Sequence, residues 1–412
     1  MSSRSLKVQK DYIDKVKSAV RRNGYPRQKD LAEELGFALA TVNNFLNGKP
    51  VDTLNFKEIC RKLALDWQEY AELDPDSEEQ PLLVSDFYVE RPQQAQCFQE
   101  LMKPGALLRI KAPQQMGKTC LLERLLCQAR EKDYQTLTLS FELADSTVLT
   151  NLRQFSRWFC ASVGQKLALP NKLDEYWDDI FGCNSNTTAY FQEHLLPAIA
   201  SPLILALDKV DRVFEHPAIA NDFCRLLRSW YDIARRGDRS SVIWKKLRLV
   251  AVHSTEVYSA LDINHSPLGG IGLVVELPEL RRDEVQDLAQ RYGLNWSETQ
   301  VEQLMAMVGG HPYLVQLALE RIKYQDITLE LLLQVAPTEA GIYSDHLHRH
   351  LGNLHQHPTL ADAFKEVVKT DSWVTIESEQ LFKLYSMGLV KLSGNEVMPR
   401  CNLYRQYFRD RL

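Results

Sequence analysis

Several large classes of protein are excluded by what is missing from these 412 residues. Eight cysteines are present, yet no Cys-x-x-Cys pair occurs and no cysteine stands at metal-ligand spacing from a histidine. Scattered thiols of this kind fit a reducing compartment, and they argue against a disulfide scaffold or a zinc module. No apolar run approaches the ~20 residues of a membrane span. The opening MSSRSLKVQKDYIDK has no apolar stretch of the signal-peptide kind. The expectation is a cytoplasmic protein without a membrane partner. No internal repeat or low-complexity tract is present, and no kinase, protease or nuclease constellation is visible. The formal net charge is −5, so bulk charge does not mark a nucleic-acid binder.

What is present is organised unevenly. Hydrophobic residues make up 45% of the chain and charged residues 25%, enough for several domains to bury cores. Residues 1–29 carry nine Lys and Arg against Asp11 and Asp14, whereas residues 66–80 carry seven acids and no base. Such an asymmetry sets the amino-terminal part off as a module of its own. Val8, Tyr12, Ile13, Val16 and Val20 fall mostly three or four apart and predict an amphipathic helix over 6–22, stopped by Asn23-Gly24 and Pro26. Short helical segments follow at 28–35 and 39–47, hinged at Gly36, and one or two more lie in 54–72. The acidic, Pro-bounded run from Asp74 to Pro81 reads as a linker. An all-α module over 1–73 and a linker over 74–84 are therefore expected.

From about residue 85 short apolar strands alternate with longer helical segments, at 106–110, 136–141, 203–207, 247–252 and 273–276. Alternation of this kind predicts a parallel sheet with helices on both faces over 85–278. After Pro278 the pattern is helical, at 282–292, 297–308, 312–323 and 328–335, and suggests a helical lid over 279–350. The tail, 351–412, mixes a helix near 360–368 and another at 379–387 with strand-like pairs at 389–392 and 396–399. That is the order of a winged-helix-like α+β module.

One segment carries chemistry plainly. Gly117-Lys118-Thr119 follows an apolar strand and opens a helix, which is the context of the Walker A phosphate loop. Backbone N–H groups at a helix start favour an anion. Residues Ala112, Pro113, Gln114, Gln115, Met116, Gly117, Lys118, Thr119 and Cys120 form this candidate site for ATP or ADP. Lys118 would reach the terminal phosphates and Thr119 would place its hydroxyl on Mg²⁺. Ala112 departs from the usual first glycine, and Pro113 stiffens the turn instead. A second strand, 203–207, ends in Asp208, the expected partner of Thr119 at the metal. The residue after such an aspartate usually supplies the glutamate that polarises the attacking water; here it is Lys209, which puts hydrolysis in doubt but not binding. Asp211 is a partial substitute. A further strand ends in His253, Ser254 and Thr255, of which Ser254 is the first choice as a γ-phosphate sensor, beside Asp208 among catalytic candidates.

Together with Phe87-Tyr-Val-Glu-Arg91, Val252-His-Ser-Thr-Glu256 and Gly309-Gly-His-Pro-Tyr313, these motifs resemble the bacterial AAA-like domain family, related to signal-transducing STAND-type and origin-recognition-type P-loop ATPases. The resemblance covers about 85–350, and the tail with it. It implies an α/β P-loop NTPase core, with Tyr88, Val89, Arg91 and Pro312 flanking the adenine. The amino-terminal pattern, from Gln28 through Leu31, Ala32, Gly36, Thr41, Val42 and Phe45, resembles a phage-repressor helix-turn-helix and the amino-terminal domain named for vWA–MoxR-associated proteins. Ala32, Leu35, Val42 and Phe45 would be core there, and Thr41, Asn43, Asn44 and Lys49 would face outward toward DNA. With Ala38-Leu39-Ala40 at its head, that helix offers few groups for base edges, and a protein contact is the alternative.

Three readings stay open: a nucleotide-driven switch, a DNA-binding regulator with ATP as a sensory or structural ligand, and an adaptor that hydrolyses nothing. The partners expected are nucleotide, double-stranded DNA or a protein through the amino-terminal module, and further copies of the chain. His346 and His350, four apart, have metal-ligand spacing on a helix, but a solvated polar helix end is the favoured reading.

Overall fold

The structure, a computed structural model, describes residues 5–9, 12–23, 25, 27–35, 37, 39–63, 65, 70, 87–239, 241–259 and 268–412. The chain divides into two compact units, residues 1–80 and 81–412. The expected linker 74–84, the turn positions Gly24, Pro26 and Gly36, Ala38, and all of the acidic stretch 66–80 except Tyr70 lie outside the described residues.

In the first unit the basic helix is shorter than the expected 6–22 and spans Ile13–Arg22. Ahead of it a short strand β1 (Ser5–Leu6) pairs antiparallel with β2 (Val51–Asp52). Leu6 and Val8 alternate with Lys7 and Gln9, a period of two that suits a strand, and Val8 is buried. Helices Gln28–Leu35, Leu39–Leu46 and Thr53–Lys62 follow. Ala32, Val42 and Phe45 are buried, Leu35 is half-buried, and Phe45 meets Phe56 edge-on with ring centroids 4.9 Å apart.

The second unit is built on a five-stranded parallel sheet: β3 (Leu107–Ala112), β4 (Gln135–Ser140), β5 (Leu203–Asp208), β6 (Leu247–Ser254) and β7 (Leu273–Glu276), in the order β4-β5-β6-β3-β7. The interior strand β5 is a continuous apolar run covered on both faces, whereas the edge strand β4 alternates buried Leu137 and Leu139 with half-buried Thr136 and Thr138. Leu203, Leu205 and Leu207 of β5 enter one core with Phe155, Phe159 and Phe223. Ile204 and Ala206 enter the other, with Leu121 and Leu125 of the helix Lys118–Arg130. Full burial of each of these leucines and isoleucines contributes about 1.5–3 kcal/mol. Helices Leu152–Lys166 and Cys183–Tyr190, neither marked by a motif, fill the connection from β4 to β5. The chain leaves β3, between β6 and β7, and runs through the helix Lys118–Arg130 to β4 at the far edge. The crevice beyond the carboxyl ends of the strands at such a reversal is where open α/β sheets bind ligands.

Helices Arg282–Arg291, Glu298–Val308, Pro312–Lys323, Leu329–Val335 and Ser344–His355 come next. Ser297 and Gln300 form a capping box on the second of them. The tail continues with Pro358–Lys369, β8 (Val374–Thr375), Ser378–Ser386, β9 (Val390–Ser393), β10 (Glu396–Pro399) and Asn402–Arg409, its small antiparallel sheet ordered β8-β10-β9. Leu304, Val315, Leu347, Phe364, Tyr404 and Phe408 belong to one apolar core, so lid and tail pack as one body.

The helix Ser344–His355 corrects one expectation. His346 and His350 are not a solvated end: they are 3% and 2% exposed and share an inward face. His348 is exposed and paired with Glu339. The apolar neighbours Leu347 and Leu354 draw the helix inward and carry the histidines with it. Among the described residues no group of three or more His, Cys, Asp or Glu could hold a metal ion, and no helix is long and apolar enough to cross a membrane.

Candidate functional site

The phosphate loop is the turn between β3 and the helix Lys118–Arg130. Gly117, at φ 87, stands in the left-handed region just before the helix, and a Cβ there would meet Arg91 Nη2 at 3.4 Å. Gln115 is also left-handed, at φ 61. Lys118 folds back along its own loop and donates from Nζ to the carbonyl oxygens of Ala112 at 3.0 Å and Pro113 at 2.6 Å. Burial lowers its pKa to about 8, against the pull of Asp211 and Glu256. An ammonium that is desolvated and held only by carbonyls gains strongly from an arriving anion.

Facing the loop are the ends of β5 and β6. Asp208 closes β5 with its carboxyl raised by burial, opposed by a hydrogen bond from the Lys209 N–H and by the Lys209 charge. Lys209 is exposed and left-handed, at φ 58. Asp211 Oδ1 accepts the Ser254 N–H at 2.8 Å, so this carboxylate ties the helix after β5 to the end of β6. Ser254 pairs in register with Ala112, which sets it level with the loop, and its Oγ accepts the Glu256 N–H at 3.2 Å. Burial holds the neighbouring His253 neutral, with its pKa lowered to about 3.

Loop and strand ends line a cavity of about 560 Å³. Its polar lining includes Lys118, Thr119, Asp208, Lys209 and Asp211, and its apolar lining Phe87, Val89, Leu280, Leu288, Pro312 and Tyr313. A cavity with both charged and apolar lining suits a ligand of the same mixed character. Tyr88 donates to Gln94 Oε1 at 2.8 Å, and burial raises its pKa to about 12, so it stays protonated. Of the residues singled out in sequence, Tyr88, Val89, Arg91, Gln114, Gln115, Gly117, Lys118, Thr119, Cys120, Asp208, Ser254 and Pro312 all meet at this cavity. Ala112, Pro113 and Met116 are buried beneath it. Arg91 has a second role: its guanidinium donates to Met116 O at 3.2 Å and Pro278 O at 3.3 Å, pinning the underside of the loop.

Two further residues reach the loop: Glu256, the last residue of the 252–256 motif but given no role by it, and Arg349, which belongs to no motif. Glu256, 7% exposed, accepts the Gln114 N–H at 3.1 Å. Arg349 donates from Nη1 to Gln114 Oε1 at 2.7 Å and lies 3.7 Å from Glu256. Nothing in the local sequence signals a contact across 235 positions. In the first unit Thr41 and Asn44 are half-buried, whereas Asn43 and Lys49 are exposed. Both the main-chain and side-chain oxygens of Asn43 accept from Asn47 Nδ2, at 2.8 and 2.6 Å.

A hydroxyl and a carboxylate, Thr119 and Asp208, are hard oxygen donors of the kind Mg²⁺ prefers, and two protein donors leave positions for phosphate oxygens and water. The residues therefore fit a nucleotide-borne magnesium ion better than a metal held by protein alone.

The family model described as the AAA-like domain matches residues 77–410. The chain belongs to the AAA-like domain family. None of the curated proteins matches it. Among solved structures, a Walker-type ATPase of Pyrococcus abyssi is similar at 14% identity and TM-score 0.53, covering 78% of this chain and 96% of that one. Cdc6p of Pyrobaculum aerophilum aligns with 80% of this chain and 98% of its own, at 17% identity and TM-score 0.41. The Orc1 protein of Aeropyrum pernix, solved in complex with DNA, aligns with 81% and 95%, at 14% identity and TM-score 0.35. The likeness to the Pyrococcus ATPase is one of fold.

Proposed function

We propose that this AAA-like domain binds ATP or ADP with Mg²⁺ and acts as a nucleotide-dependent switch that hydrolyses ATP slowly or not at all. One observation carries the reading: Lys118, Thr119 and Asp208 line one cavity at the reversal point of the sheet, together with a set of apolar side chains. In this reading the loop N–H groups and Lys118 hold the phosphates, while Thr119 and Asp208 hold the magnesium, whose contribution when bound is to neutralise phosphate charge. Phe87, Val89, Leu280, Pro312 and Tyr313 enclose the base, with Tyr88 and Arg91 fixing the segment that carries them. Ser254, level with the loop, is suited to sensing the outermost phosphate.

The modules on either side are part of the proposal. The segment 351–412 is a winged-helix-like module, supported by its antiparallel β8-β10-β9 sheet and preceding helix. The unit before residue 74 is a helix-turn-helix module of the kind resembled by vWA–MoxR-associated proteins, supported by the paired helices Gln28–Leu35 and Leu39–Leu46 over buried Ala32, Val42 and Phe45. Thr41, Asn43, Asn44 and Lys49 are its outward candidates for DNA. The test of the central claim is Lys118→Ala. Titration of purified protein with ATP and Mg²⁺ is expected to show micromolar-range binding for the parent chain and a loss of at least about tenfold for the variant, as follows from removing a charge-assisted contact. Equal affinity in the two proteins would refute the site.

A further inference from the structure

We propose that the helix Ser344–His355 positions the phosphate loop, His346 and Arg349 holding Gln115 and Gln114, so that nucleotide affinity is set from outside the α/β core. The inference rests on the nucleotide reading above and names the regulation of that same site. Between Ala112 and Gly117 the loop carries two polar side chains, Gln114 and Gln115. One helix takes both. Arg349 Nη1 donates to Gln114 Oε1 at 2.7 Å, and His346 Nδ1 lies 2.8 Å from Gln115 Oε1.

The histidine's protonation follows from its partners. A ring nitrogen facing a carbonyl oxygen has to carry the proton, so Nδ1–H donates to Gln115. The other nitrogen, Nε2, lies 2.7 Å from the Tyr404 hydroxyl and accepts from it. This neutral tautomer satisfies both ends of the ring, and burial enforces it by lowering the His346 pKa to about 3. Tyr404 is itself buried in the core of lid and tail, so the ring is anchored there at one end and on the loop at the other.

The hold matters because of the backbone it stabilises. Gln115, a non-glycine residue at φ 61, is in a conformation that persists only where its surroundings impose it. Gln114 is fixed through its side chain by Arg349 and through its N–H by Glu256. The direction of successive N–H groups in such a loop decides whether they converge on an anion. With Gln115 released, its peptide is free to relax toward ordinary φ and turn an N–H away from the cavity.

The experiment measures ATP affinity of the full chain with Mg²⁺ for Gln115→Ala, His346→Gln, His346→Asn and the double variant Gln115→Ala/His346→Gln. Asparagine keeps a donor near the place of Nδ1, whereas glutamine extends its amide toward the place of Nε2 and Tyr404. Gln115→Ala and His346→Gln are each expected to weaken binding roughly fivefold, the effect of one lost hydrogen bond. The double variant should be no weaker than about twofold below either single one, and His346→Asn should restore most of the parent affinity. A packing role alone would not separate asparagine from glutamine in this direction. Additive losses in the double variant, or equal losses for His346→Asn and His346→Gln, would overturn the proposal. Melting curves without nucleotide identify any histidine variant that fails to fold; in that case the exposed Gln115→Ala decides alone, and unchanged affinity overturns the proposal. Absence of ATP binding by the parent chain overturns the nucleotide reading itself, and this inference with it.

Discussion

Lys209 follows Asp208 in the lining of the cavity, where a glutamate would ordinarily polarise the attacking water. A protonated amine takes no proton from water, and it sets a second cation beside Lys118. Positioned general bases contribute about 10²–10⁴-fold to a rate, so Lys209→Glu is expected to raise ATP turnover at least tenfold, read as phosphate release. Parent turnover at about one per second or faster, ordinary for enzymes, would contradict this. The left-handed backbone is the same for both residues, neither being glycine, so it does not bias the comparison. The legible residues here were those joined through short stretches of chain: a strand, five loop residues and a helix start fix Lys118 and Thr119 relative to each other. Asp208 was legible because an apolar strand ends on it. Glu256 and Arg349 were not, because only tertiary packing brings them to Gln114.

Among the elements, the Ser344–His355 helix differs most from its sequence reading. Its polar spelling, Ser-Asp-His-Leu-His-Arg-His, resembles a surface, yet two rings turn inward beside His311, with His311 and His350 centroids 5.2 and 4.8 Å from that of His346. Burial holds all three well below the usual histidine pKa of about 6.5, His346 at about 3. The unfolded chain therefore binds protons below pH 6.5 that the folded chain refuses. Stability is fully present above 6.5 and falls as pH drops toward 3, by up to about 1.4 kcal/mol per unit for each ring. Asp208 and Glu256, whose carboxyls are raised, act in the opposite sense and reduce the net slope. Melting temperature is expected to fall between pH 7 and 5, and replacing buried His350 by glutamine should flatten that fall; a profile unchanged by the substitution would count against a neutral buried ring. Strand β5 was readable as an apolar run buried on both faces, and the edge strand β4 by the alternation of buried Leu137 and Leu139 with half-buried threonines. The pairing of β1 with β2 was not, since strands of two residues carry too little periodicity to compete with the helical spacing after them.

The two compact units pose separate questions for the molecule as a whole. Nine basic residues in the first 29 form an electrostatic footprint on a chain of net charge −5. The 412-residue chain is expected to bind random duplex weakly, with an affinity that falls steeply with salt and differs little between sequences, and residues 81–412 alone should lose most of it. Asn43, already engaged by Asn47, leaves little with which to read bases at the ~1–3 kcal/mol of a bidentate contact. Tight binding to one operator, or equal binding without the first unit, would contradict this. Within the second unit, Gly388 is left-handed, at φ 76, and a Cβ there would come within 2.9 Å of Pro113 in the phosphate loop. Tail and loop are thus cut to each other's shape. A tail transplanted from a relative with any side chain at that position would arrive as a wedge under the loop, so the two segments are exchangeable between proteins only as a matched pair.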